Sequence, residues 1–184
     1  MINGEKSSDD AVYVALSDRY ALVRVEGRGS FKVSTSFKQF AETVIQKKIP
    51  LILIDMSRCI GMDSTFMGVT AGIASRIKKQ AGDVVMVNCS ERTHGLLATL
   101  GLDQLISAYA TSATPPGYNQ LLSGKSSGEQ LPAAPGSNIE TIKTMLDAHQ
   151  QIVTLAPETL PQFKDVIAYL GEEVARKTST RQEL

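Results

Sequence analysis

Three consecutive residues, Asp63-Ser64-Thr65, set a carboxylate and two hydroxyls where an apolar strand gives way to a segment of helical periodicity. A hydroxyl there faces unpaired backbone N–H groups and the positive end of a helix dipole, which favour added negative charge. The placement suits a phosphorylated serine, with Ser64 as acceptor, Asp63 as N-cap and Thr65 as a second hydroxyl. Phosphate brings about 1.5 to 2 negative charges and three acceptor oxygens. The helix start tolerates that charge, whereas a partner packed on Asp63 and Ser64 meets repulsion and a desolvation cost.

The other reactive side chains point to less. His94 and His149 lie on different segments without acidic or cysteine ligand spacing, so no metal site is expected. His149 is read as a structural histidine on an amphipathic helix. Cys59 and Cys89 follow predicted strands, form no Cys-x-x-Cys and read as inert thiols. Asp55 ends its strand and is given local work only. Gly27-Arg28-Gly29 lacks the spacing of a phosphate-cradling loop and reads as a turn. No Ser–His–Asp or paired-carboxylate set can be assembled, so no catalytic residue, cofactor or enzymatic activity is expected.

The elements that position Ser64 follow from periodicity. Val12–Leu16 and Tyr20–Val25 read as strands of a hairpin around Ser17-Asp18. Phe37, Phe40, Ala41, Val44 and Ile45 make one stripe of a helix, with Ser36 and Gln39 as a capping box. Leu51–Ile54 is an unbroken apolar run of the kind buried on both faces of a sheet. The second helix runs from Ser64 to about Gln80, with Phe66, Thr70, Ile73, Ala74 and Ile77 inward. Val84–Val87 is a further strand. Ser90 caps a third helix ending at Gly101, and Leu105 to Tyr109 supply a last strand. Strands alternating with helices imply parallel crossovers and an α/β sandwich of about five strands with helices packed on it.

Composition changes near Thr111. Residues 111–137 are rich in Pro, Gly and Ser and read as a linker with a short ordered piece around Tyr118 to Leu122. Residues 138–184 read as a helical hairpin, an extension of two helices. Ile139, Ile142, Leu146, His149 and Val153 line its first helix, and Phe163, Val166, Ile167, Leu170 and Val174 its second. These stripes must pack on residues 1–110 or pair with a second chain. The length of the linker favours pairing, a homodimer through a four-helix bundle.

The chain has 184 residues, 42% hydrophobic, which allows one domain plus an appendage. With 19 basic and 19 acidic side chains, there is no net field to attract nucleic acid or an anionic membrane. No apolar run approaches the roughly 20 residues needed to span a bilayer. The opening MINGEKSSDD has no apolar signal core, so a cytoplasmic location is expected.

Residues 10 to 110 resemble a STAS domain of the bacterial anti-sigma factor antagonist family. The family's phospho-acceptor stretch reads Met-Asp-Ser-Ser/Thr-Gly-Leu-Gly, matched here by Met62-Asp63-Ser64-Thr65-Phe66-Met67-Gly68. Leu97-x-x-x-Gly101-Leu102 is similar to the family's third helix and the lead into its final strand. The resemblance implies a STAS-like sheet and Ser64 as the phosphorylated residue. It implies a protein-binding surface at Met62, Asp63, Ser64, Thr65, Phe66 and Met67. Its implied partners are a serine kinase that also acts as the anti-sigma factor, and a metal-dependent serine phosphatase that resets the switch in transcription regulation. Phe66 stands where the family has Gly, and Gly27-Arg28-Gly29-Ser30 replaces its Gly-Glu-Leu-Asp. An alternative is a STAS scaffold without a switch, in a transport or stress-signalling complex, using Phe66 as an exposed apolar contact.

Overall fold

The run Leu51-Ile-Leu-Ile54 is buried on both sides for a simple reason. Side chains alternate across a strand, so Ile52 and Ile54 enter the main core while Leu53 joins Leu22, Val85 and Val87 on the opposite face. The structure, a computed structural model, describes residues 10–124, 128–134 and 138–182. Its strands are β1 (Ala11–Leu16), β2 (Ala21–Gly29), β3 (Leu51–Met62), β4 (Asp83–Cys89), β5 (Ser107–Ala110) and β6 (Glu129–Gln130). They form one mixed sheet in the order β5-β4-β3-β2-β1-β6. The β1–β2 and β1–β6 pairs are antiparallel, and β2 through β5 pair in parallel.

Two crossover helices, α1 (Phe31–Gln46) and α2 (Ser64–Lys78), cover the main face, and the shorter α3 (Glu91–Thr99) follows β4. The α/β sheet with helices packed on it agrees with the sequence reading, with β6 as a sixth strand. That strand lies within the segment read as a linker. The same segment forms α4 (Pro116–Ser123), whose Tyr118, Leu121 and Leu122 pack on the second face of the sheet.

Three local readings need correction, the first being that Asp55 does not end its strand, because β3 runs on through it to Met62. The first helix begins at Phe31, and Ser36 lies inside it, its hydroxyl donating to the Pro132 carbonyl. Gly27-Arg28-Gly29 is no turn, because β2 continues through it with register shifts against β3 and a positive φ at Gly27.

The C-terminal hairpin, α5 (Ile139–Leu155) and α6 (Leu160–Gln182), forms a third layer. Helix α5 lies on α2 and α1, and α6 lies on α5. The buried residues of α5 are Thr141, Ile142, Thr144, Ala148, His149 and Ile152, a wider set than one stripe because both α2 and α6 cover it. One chain thus covers α5 without a second copy. The outer face of α6 leaves Leu160 and Tyr169 exposed. Among the described residues, no helix is long and apolar enough to cross a membrane.

Candidate functional site

The start of α2 is built by one carboxylate. Asp63 occupies the N-cap in extended conformation, and its Oδ1 accepts the Phe66 N–H at 2.8 Å. Its Oδ2 accepts the Phe31 N–H of α1, also at 2.8 Å. The Asp63 N–H donates to the Gly29 carbonyl at 2.9 Å, tying the site to the end of β2. Two helix N-termini therefore converge on one acidic side chain, each supplying an otherwise orphaned donor. Beside it, Asp10 accepts the Arg28 N–H and the Ser30 hydroxyl, so Ser30 makes no cap bond of its own at the start of α1.

Ser64, half-buried, is the first residue of α2, and its Oγ lies 2.9 Å from Nε2 of His149 on α5. The His149 ring is only 4% exposed and packs against Phe163 of α6. Its Nδ1 lies 2.7 Å from the Met145 carbonyl, an acceptor only, so Nδ1 carries the proton. In the neutral ring Nε2 is then the acceptor, and Ser64 donates its hydroxyl proton to it. His149, read from sequence as a structural histidine, is thus also the hydrogen-bond partner of Ser64. The third member of the chain is a backbone carbonyl rather than a carboxylate. Chemically, the imidazole orients the Ser64 hydroxyl and can take its proton as oxygen attacks an electrophile.

The rest of the predicted surface is divided. Met62, Thr65, Phe66 and Met67 are buried, and Asp63 and Ser64 are half-buried. Of the two hydroxyls, that of Ser64 points to α5 and Thr65 lies in the packed body of the helix. The exposed Phe66 contact is overturned, since Phe66 is 0% exposed. It stacks on Phe37 with ring centroids 5.3 Å apart, and a Cβ on Gly29 would stand 2.7 Å from its ring. Gly29 thus supplies the space that a phenylalanine in place of glycine requires.

Over this site α2 and α5 approach closely. A Cβ on Gly68 would lie 2.3 Å from the Ala148 carbonyl oxygen, so only glycine admits the α5 backbone here. One turn on, Gly72 meets Gln151. At the flanks, Lys38 pairs with Asp147 at 2.8 Å and Arg76 pairs with Glu42. Hydrogen bonding from Arg76 holds the Glu42 carboxyl below its usual range. The signal for α5 was present in the sequence of α2. Its first eleven residues, Ser64 to Ala74, carry no charge, and a helix apolar all round needs cover on both sides. His149 as the partner of Ser64 had no such signal, being 85 positions away.

The remaining reactive groups are local. Asp55 accepts from Ser57 and from the Asn88 side chain. Burial pushes the Cys89 thiol up to about 12 and raises Cys59 as well, which keeps both protonated.

A family model for the STAS domain matches residues 12–114. The chain belongs to the STAS domain family. Among curated proteins, none matches this sequence. Solved structures resemble it in fold. An anti-sigma factor antagonist from Mycobacterium paratuberculosis is 19% identical, with 62% of this chain and 95% of that one covered and a TM-score of 0.51. A Thermotoga maritima structure titled as a putative anti-sigma factor antagonist is 18% identical over 61% and 94%, also at 0.51. The phosphorylated form of SpoIIAA, a Bacillus cell fate determinant, is 18% identical over 61% and 99%, at 0.49. The helices α4 to α6 lie beyond the STAS match, so the hairpin that meets Ser64 is an addition to the family domain.

Proposed function

We propose that this STAS domain is a non-enzymatic, cytoplasmic protein-binding module switched by phosphorylation of Ser64. In this reading a serine kinase that is also the anti-sigma factor, or a similar target-sequestering protein, binds the unmodified α2 start. A metal-dependent serine phosphatase restores that state. The observation that carries the reading is the arrangement at Asp63. Its carboxylate fixes the starts of α1 and α2 together, so Ser64 is held at a rigid helix N-terminus that accommodates a phosphate without unfolding. The burial of Phe66 removes the main argument for an unswitched scaffold. A homodimer through the C-terminal helices would use the outer face of α6, where Leu160 and Tyr169 are exposed.

Incubation with the cognate kinase and ATP is expected to add one phosphate, at Ser64, with Ser64→Ala abolishing it. Mass spectrometry that places the phosphate elsewhere, or finds none in cells under any condition, would sink this reading.

A further inference from the structure

We infer that the α5–α6 hairpin is a built-in cap over the α2 face, latched by the Ser64–His149 hydrogen bond and released by phosphate on Ser64. The inference rests on the reading of Ser64 as the modified residue and concerns what that modification does inside the chain.

Ala148, Ile152 and Phe163 of the hairpin join the main core, so the cap is packed tightly, and the features below show where it can be opened. The hairpin lies outside the STAS match, yet it covers the first turns of α2. The contact is shaped for a helix backbone, with Gly68 admitting the Ala148 carbonyl and Gly72 facing Gln151. The Ser64–His149 hydrogen bond to the hairpin, with the more exposed Lys38–Asp147 pair beside it, falls on the residue whose modification is in question. Among the described residues, the Thr141 hydroxyl on α5 and the Thr35 hydroxyl on α1 are buried without a hydrogen-bond partner. Buried groups of that kind subtract from the stability of the layer they sit in.

Phosphate at Ser64 acts on the latch directly. Transfer from ATP breaks the bond from the γ-phosphorus to the ADP oxygen and forms one from phosphorus to Ser64 Oγ. The hydroxyl proton departs to the kinase's base or to water. The ester oxygen has no proton left to donate, so the Nε2 lone pair of His149 now faces a dianion. The Oγ–Nε2 distance of 2.9 Å leaves no room for phosphorus and its three outer oxygens between them. His149 is held in place by the Met145 carbonyl and by Phe163, so the strain falls on the docking of α5. Like charge from Asp63, the neighbouring residue, adds to it. Release uncovers Gly68 and Gly72, the face of α2 that α5 covers, one to two turns beyond the half-buried Asp63–Ser64 start at which the kinase would bind.

The test uses the full chain carrying phosphoserine at position 64, introduced during synthesis, against the unmodified chain. Hydrogen-exchange mass spectrometry is expected to show α5 exchanging at least tenfold faster in the phosphorylated chain, with β2 to β4 unchanged. Ala148→Trp, a wedge on the α5 side that leaves α2 intact, is expected to give the same pattern without phosphate. Unchanged or slower exchange of α5 on phosphorylation overturns the inference; slower exchange would mean that a protonated His149 pairs with the phosphate and tightens the cap. If Ala148→Trp also loosens β2 to β4, the phosphoserine chain decides alone. An inert phosphoserine removes the cap and leaves kinase recognition standing. An absence of phosphate in cells removes kinase recognition and leaves the cap testable as a docked helix.

Discussion

Two helices of this protein start in the same way and end up in different circumstances. Both α2 and α3 follow a parallel strand and open on a polar cap. At α3 the cap is self-contained, since Ser90 accepts the Thr93 N–H at 3.2 Å and Glu91 supplies the acid that suits the dipole. At α2 the cap reaches outward. Asp63 holds a second helix as well as its own, and the hydroxyl next to it belongs to a hydrogen bond with α5. A local cap stabilises one helix end. A shared cap makes one helix end a junction, and a modification at a junction is felt by every element that meets there.

Substitution sharpens that contrast. The largest effect is expected at Asp63→Ala, which leaves the Phe31 and Phe66 N–H groups without an acceptor and should cost about 2 to 4 kcal/mol in urea unfolding. Ser90→Ala should cost about 1 kcal/mol, the usual loss for one local cap. Equal costs at the two positions would show that Asp63 works for α2 alone. Thr141→Val should stabilise the chain by up to about 1 kcal/mol by removing an unpaired buried hydroxyl at nearly constant shape, seen as a higher melting temperature.

The smallest effect concerns acid. Hydrogen bonding from Arg76 lowers the Glu42 carboxyl in the folded state, so its contribution is present above the unfolded value of 4.5. It is lost as pH falls through the lower folded value. Both side chains are partly exposed, so a few tenths of a kcal/mol are expected. The gap in melting temperature between wild type and Glu42→Gln should therefore be present at pH 7 and shrink as pH falls below 4.5. A gap that does not change with pH would mean that packing of α1 on α2, and not charge, is what Glu42 supplies.

The sheet and its crossover helices were legible because the residues responsible are adjacent in sequence. Leu51–Ile54 carries its double burial in composition alone, and Ser90 carries its cap three residues ahead of the N–H it binds. Asp63 was legible as the cap of α2 and illegible as the cap of α1, because the Phe31 N–H lies 32 positions back. The start of α1 is fixed by that same long-range bond, while the capping-box spacing of Ser36 and Gln39 falls inside the helix. Periodicity placed Phe66 inward, as it is, whereas an aromatic in place of a family glycine suggested exposure. The space for it comes from Gly29, on another strand. Periodicity on α5 showed which residues were apolar but not which neighbour would cover them. A stripe carries no address.

The segment between the sheet and the hairpin sets how far any released helix can go. Glu129–Gln130 pairs with β1, the Leu131 N–H donates to the Val12 carbonyl at 2.8 Å, and the Ala134 N–H donates to the Lys32 carbonyl at 2.7 Å. Asn138, which caps α5 through the Glu140 N–H, comes four positions after Ala134. At roughly 3.5 Å per extended residue, that short tether keeps Asn138, at the start of an undocked α5, within about 15 Å of its anchor. The free helix therefore stays at an effective concentration of order millimolar beside the surface it left. Recapture of a displaced α5 is therefore an intramolecular event whose rate does not depend on how much protein the cell contains.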